Sequence, residues 1–277
     1  MVDVQPQRQG DGSVGPLLQY WRKARQLSQL ALATEAGVSS RHLCFIETGR
    51  AKPSREMVLL LSQALDVPLR ERNTLLLAAG LAPEFVETAL DAPALEAVRG
   101  ALDAILEQQE PFPAVVMNRY WDIVRTNRAA KRFFGFMLEG QRLRESANVL
   151  RLMFHPDGLK PFVSNWDVVA EALLRRVQRE AVGGIKDQRT VQLVREILEY
   201  PGIPPAFGRQ TLAATAAAVP VIPVGFGRAG RHYDFFSTVT TLGTPQDITA
   251  QEIRLECFFP ANRGTAERAR AELASER

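Results

Sequence analysis

Residues 28–50, SQLALATEAGVSSRHLCFIETGR, decide how this chain is read. Ser28 can cap a helix, its hydroxyl accepting a free backbone N–H of the first turn. Leu30, Ala33 and Ala36 then fall near one helical face. Gly37 follows, suited to the left-handed backbone that ends a helix. After Val38, Ser39 is a second N-cap. From there a short helix places Leu43 and Ile46 on one side and Ser40, Arg41 and Phe45 on another, and Gly49 closes it. Two short helices, a tight turn and a small alanine where they meet read as a helix-turn-helix. The second helix is polar and cationic at the start of its outer face, as a helix that enters a major groove must be. Gln29, Arg41, Arg50 and Lys52 stand at the helix starts or just past the second helix, where phosphates would lie. A plain helical hairpin inside a larger bundle has no need of donors there.

The segment from about Gly15 to Pro83 resembles the Cro/repressor-like (XRE) DNA-binding domains. Carrying the resemblance are Arg22, Leu27-Ser28-Gln29, Ala33, Gly37-Val38-Ser39, Leu43, Ile46 and Glu47-Thr48-Gly49-Arg50. It implies an ion pair between Arg22 and Glu47. It also implies base contacts from Ser40, Arg41 and, more weakly, Phe45, and backbone contacts from Gln29, Ser39, Arg50 and Lys52. The expected partner is a double-stranded DNA operator. A homodimer is expected because one small module makes limited contact and paired half-sites multiply affinity.

The 277 residues suffice for two domains. Hydrophobic residues make up 46% and charged residues 23%, the mix of a globular chain, and the net charge of +3 requires any basic face to be local. Cys44 and Cys257 lack metal-ligand spacing, sit among apolar neighbours and suit a reducing cytoplasm. Residues 1–14 read as a disordered tail without the apolar run of a signal peptide, and 263–277 as a charged tail or frayed helix. No apolar run approaches membrane-spanning length, so no membrane partner is expected.

Taken in order, residues 15–84 predict an all-α, five-helix, lambda-repressor-like domain. Its first helix spans 16–26, with Leu17, Leu18 and Trp21 as apolar contacts. Pro53 and Ser54 open a helix carrying Met57, Val58, Leu61 and Leu65. The fifth helix spans 69–79 with Leu75, Leu76 and Leu77 inward, ended by Gly80. Residues 85–110 predict a connector helix with a stripe of Leu95, Val98, Leu102 and Ile105.

In 111–262, two short strands (114–117 and 120–125) meet tightly at Asn118-Arg119, and Asn127 caps a helix ended by Gly135. Helices over 145–154, 166–181 and 188–199 precede strands over 219–226, 232–241 and 251–259. Pro220 and Pro223 make the first of these an edge strand. In the last, Ile253, Leu255, Cys257 and Phe259 share one face, and Glu252, Arg254 and Glu256 the other. This is the element order of an α+β PAS-like domain, an antiparallel sheet with one face covered by helices.

Residues 111–262 also resemble the ligand-binding domain of MmyB-like transcription regulators. The segments that carry it run from Trp121-Asp122 to Asn127-Arg128-Ala129 and from Asn148 to Arg151, then Phe154-His155-Pro156-Asp157-Gly158-Leu159 and Asn165-Trp166. Further on they are Phe235 to Thr240, Leu242-Gly243-Thr244-Pro245 and Glu256 to Pro260. The resemblance implies a PAS-like fold behind an XRE domain and a buried pocket for a fatty acid or similar lipid-like small molecule. Trp121, Phe134, Phe154, Trp166, Val169, Leu173, Phe235 and Phe258 are the expected lining, although the default role of the aromatics, Phe133 and Phe236 among them, is core. Arg119, Arg151 and His155 are alternative polar anchors at the mouth.

Catalysis has little to stand on. His42, His155 and His232 form no metal spacing, Gly183-Gly184 is no phosphate loop, and no Gly-x-Ser-x-Gly elbow occurs. His155-Pro156-Asp157-Gly158 reads as a turn more readily than as a catalytic pair. No cofactor is expected. A haem on His155 or His232 is an alternative that Soret absorbance would test. The expectation is therefore a transcription regulator that senses an apolar ligand, and the rival is a DNA-binding scaffold whose second domain dimerises or holds a protein.

Overall fold

A computed structural model describes residues 13–141, 148–182, 187–204 and 223–274. The chain divides into two compact units, residues 1–87 forming the bulk of one and most of 88–277 the other.

The first unit is all helical: α1 Val14–Ala24, α2 Gln29–Glu35, α3 Ser40–Glu47, α4 Arg55–Ala64 and α5 Leu69–Ala78. The caps read from the sequence form. Ser28, Ser39 and Ser54 accept the backbone N–H of Ala31, His42 and Met57 at 3.0, 3.1 and 3.3 Å. Gly37 takes φ +66° at the turn between α2 and α3, a conformation that a Cβ would strain. Leu18, Trp21, Leu32, Leu43, Ile46, Val58, Leu61 and Leu75 close the core. Two apolar expectations fail. Leu30 is 67% exposed and Leu77 is 60% exposed, because Leu32 with Ala33, and Leu75 with Leu76, already fill the inward faces of α2 and α5. Gly15 marks the closest approach of α1 to the end of α3. A Cβ there would lie 2.6 Å from the carbonyl oxygens of both Ile46 and Glu47.

The second unit is built on a five-stranded antiparallel sheet, in the order β2-β1-β5-β4-β3. The strands are β1 Ala114–Met117, β2 Ile123–Thr126, β3 Val224–Arg228, β4 Arg231–Thr240 and β5 Arg254–Pro260. The two strands that come first in sequence and the three that come last meet through β1 and β5, as a PAS-like domain requires. Between β1 and β2, the Asn118 side chain accepts the N–H groups of Tyr120 and Asp122 and fixes the expected tight joint. Asn127 caps the helix α7 Arg128–Met137, accepting Ala130 N–H at 2.8 Å. That helix runs through Gly135 rather than ending there, which brings Met137 into the core. The helices α8 Val149–Phe154, α9 Trp166–Val182 and α10 Gln188–Leu198 follow. With α7 they cover one face of the sheet around Phe133, Phe154, Phe226, Tyr233 and Phe235.

The opposite face is covered as well. The helix α6 Glu96–Gln108, expected only as a connector, sets Leu102 and Leu106 against Val116, Leu255 and Cys257. The alternation in the last strand is thus correct, but its apolar face meets α6 and its polar face turns toward the helical layer. Glu252 leaves the strand altogether, since the helix α11 Ile248–Glu252 precedes β5. Residues 263–274, read as a charged tail or a frayed helix, form the helix α12 Arg263–Ala274, which buries Ala266 and Ala269 and bonds the Tyr233 hydroxyl to Glu272 at 2.5 Å. The expectations for residues 1–12, for Gly183-Gly184, for Pro220 and for the starts of the 145–154 helix and the 219–226 strand lie outside the described residues. No helix among the described residues is long and apolar enough to cross a membrane.

Candidate DNA-binding helix and ligand cavity

On α3 the side chains of Ser40 and Arg41 are exposed, and Phe45 is half-buried one turn on. The Arg41 guanidinium lies 5.4 Å from the Phe45 ring centroid, a cation–π stack on the outer face of the helix. Arg50 and Lys52 are exposed just beyond it. Ser39 is occupied as the cap, so its hydroxyl faces the helix. The Gln29 amide donates to Glu47 Oε2 at 2.8 Å.

That bond is the third side of a buried polar group. Arg22 Nε and Nη2 donate to the two Glu47 oxygens at 2.7 and 2.9 Å, and Nη1 donates to the Leu27 carbonyl at 2.8 Å. The Glu47 side chain is fully buried and that of Arg22 is 10% exposed. Burial alone would raise the Glu47 carboxyl, but the Arg22 and Gln29 hydrogen bonds outweigh it and hold the group below its usual value. The predicted ion pair therefore ties α1 to the end of the helix whose face carries Arg41.

In the second unit, a cavity of about 340 Å³ lies between the sheet and the helical layer, inside the range of roughly 300–1,000 Å³ usual for ligand pockets. The sheet supplies Val115, Ile123, Thr126, Phe226, Glu256 and Phe258. The helices supply Ala130, Lys131, Phe134, Leu152, Val169 and Leu173. Among the expected lining residues, Phe134, Val169, Leu173 and Phe258 are brought together there. The other four are not.

Phe154 and Phe235 are core residues, exposed by 0% and 1%. Trp166 packs edge-on against Phe154, and its ring N–H donates to the Met153 carbonyl at 2.9 Å. Trp121 carries the guanidinium of Arg176 over its ring at 4.6 Å.

None of the three expected anchors lines the cavity. Arg119 pairs with Glu252 at 2.8 Å. His155 accepts the Asp157 N–H at 3.0 Å within the turn that the sequence suggested. Arg151 grips Glu196 with two bonds of 2.8 Å, and Tyr200 donates to the same carboxylate at 2.5 Å. The Arg151 bonds hold the Glu196 carboxyl down at about 2, against an ordinary value of 4.5. Its contribution to stability is therefore complete above about 4.5 and is lost as pH falls toward 2. The Glu196 side chain is 39% exposed, so solvent screens much of it. Glu196→Gln should flatten the acid limb of a stability–pH profile in that interval and leave the profile unchanged near neutrality.

The polar groups that do line the cavity are Thr126, Lys131 and Glu256. The sequence offered a signal for the last one: charged residues at alternate positions, Glu252, Arg254 and Glu256, in an otherwise apolar strand, on the same face as Phe258.

Comparison with known proteins agrees with both halves of this geometry. A helix-turn-helix family matches residues 18–72. Multiprotein-bridging factor 1 of Debaryomyces hansenii is 35% identical over 71 residues, which are 26% of this chain and 47% of that protein. The chain thus spans about half the length of the curated relative it matches. A solved RNA-binding light-oxygen-voltage receptor aligns with 95% of this chain and 64% of its own, at 11% identity and a TM-score of 0.27, too low to bear on the fold. The family described as MmyB-like transcription regulator ligand binding domain matches residues 98–271, more than half of the chain and every strand of the sheet. With a helix-turn-helix in front of it, this chain belongs to the MmyB-like transcription regulators.

Proposed function

We propose that this regulator binds a specific operator as a homodimer through α3 and reads an apolar small molecule, a fatty acid in the first instance, in the cavity of its second unit. The cavity supports this reading most directly. It is apolar on the sheet and helix sides alike, with few polar groups, the pattern of a site for a chain-like molecule. Each buried methylene would contribute about 0.8 kcal/mol. Calorimetry with saturated fatty acids of increasing length is expected to show affinity rising with each carbon until the cavity is full. Affinity that ignores chain length, or no heat with any acid, would leave the second unit as a scaffold for dimerisation or for a protein partner. Mass spectrometry of small molecules carried through purification is the companion test.

For the first unit, Arg41 stands where the start of a recognition helix meets base edges, and its stack on Phe45 limits its freedom. A bidentate arginine–guanine contact discriminates by about 1–3 kcal/mol. Arg41→Ala is therefore expected to weaken operator binding by that amount while changing affinity for random duplex far less. Equal losses on the two DNAs, measured at one salt concentration, would remove Arg41 from base reading.

A further inference from the structure

Resting on the reading of the cavity as a lipid site, we propose that its ligand is a chain with polar groups at two places: a carboxylate held at Lys131 and Thr126, and a hydroxyl farther along that donates to Glu256. A mid-chain hydroxy fatty acid has this chemistry.

The sheet register places the two polar sites. Val115 on β1 pairs with Thr126 on β2 and with Glu256 on β5, so the three side chains lie in one row on the cavity face. Two strand spacings separate the ends of that row, roughly 10 Å. Lys131 belongs to the Thr126 end. It is exposed, it lines both the cavity and the open groove beside Ile123 and Arg125, and it makes no ion pair among the described residues. A cation standing free where a cavity meets solvent suits a carboxylate.

The Glu256 end presents a carboxylate in place of a free cation, with Arg176 as its ion-pair partner. Its side chain is 11% exposed, Oε1 accepts the Ser237 hydroxyl at 2.6 Å, and Oε2 lies 3.5 Å from Arg176 Nη1. A carboxylate offers about four lone-pair sites, and these contacts address two of them. A fatty acid entering head first would bring a second carboxylate to a site where Glu256 already holds Arg176. A saturated chain entering tail first would press methylenes on a buried charge and leave its remaining acceptors without water or donor. A hydroxyl at that depth supplies the donor, and the charge on the acceptor strengthens the bond.

The test is calorimetric titration of the full-length protein with a saturated fatty acid and with the monohydroxy acids of the same length, the hydroxyl moved one carbon at a time. One mid-chain isomer should bind about tenfold tighter than the parent acid, the gain expected of a charge-assisted hydrogen bond. In Glu256→Gln the ratio between that isomer and its parent should shrink several-fold, and in Lys131→Gln both should weaken together. Thermal melting of each variant checks that the fold is kept. A parent acid that binds while no isomer improves on it, or a ratio that survives Glu256→Gln, overturns the proposal and leaves the lipid site standing. Binding by neither class of acid overturns both.

Discussion

Glu47→Ala is expected to cost the first unit about 3–5 kcal/mol, the usual penalty for removing one partner of a buried ion pair. The carboxylate is fully buried and receives three side-chain N–H bonds, two from Arg22 and one from Gln29. Truncation leaves the Arg22 guanidinium enclosed with only the Leu27 carbonyl in place of three acceptors. Glu56→Ala is the control. Glu56 is exposed in the first turn of α4, and its loss is expected to matter little. At about 4–8 °C per kcal/mol for a domain of this size, the two variants should separate clearly in a calorimetric melt of the whole chain. Operator affinity should fall with Glu47→Ala as well, because the group it breaks holds the exit of α3. Matching melting temperatures for the two variants would show that the pair is not structural.

The first unit was legible because its signals are local. A serine before a helix, a glycine at a positive-φ turn and an alanine at a helix crossing each act within a few residues, and each forms as read. The exceptions are Leu30 and Leu77: the inward faces are filled by Leu32 with Ala33 and by Leu75 with Leu76. In the second unit the element order and the strand alternation were equally plain, and they suffice for the fold. Which face of the sheet met which layer was not plain, because that depends on contacts distant in sequence. Phe258 and Glu256 share a face under α7 and α9, whereas Leu255 and Cys257 share the one under α6. An alternating strand reads the same whichever side is covered first. The polar anchors failed for a related reason. Arg119 and Arg151 carry the right charge, but Glu252 and Glu196, remote in sequence, claim them.

Phe133→Ala is expected to destabilise the second unit by about 3–5 kcal/mol, the range for truncating a buried phenylalanine. Phe133 is 5% exposed, and its ring meets four others edge-on: Phe134 at 5.2 Å, Phe226 at 5.1 Å, Tyr233 at 5.2 Å and Phe235 at 5.4 Å between centroids. Edge-to-face pairs add to the burial of apolar area, so removal costs both the transfer of the ring and the contacts around it. Phe134→Ala is the informative contrast. Phe134 lines the cavity and is only half-buried, so fewer protein atoms pack on its ring and its truncation should cost clearly less. The same pair of variants separates core from site in binding. Phe134 and Phe226 are walls of the cavity and Phe133 stands behind both, so Phe133→Ala lets the walls yield and should move the preferred fatty-acid length upward. Denaturant unfolding reports on the second unit through Trp121 and Trp166 in a Trp21→Phe background, which leaves the chain's other two tryptophans. A loss below about 1 kcal/mol for Phe133→Ala, smaller than ordinary cavity creation, would mean that the aromatic cluster is not what closes this domain.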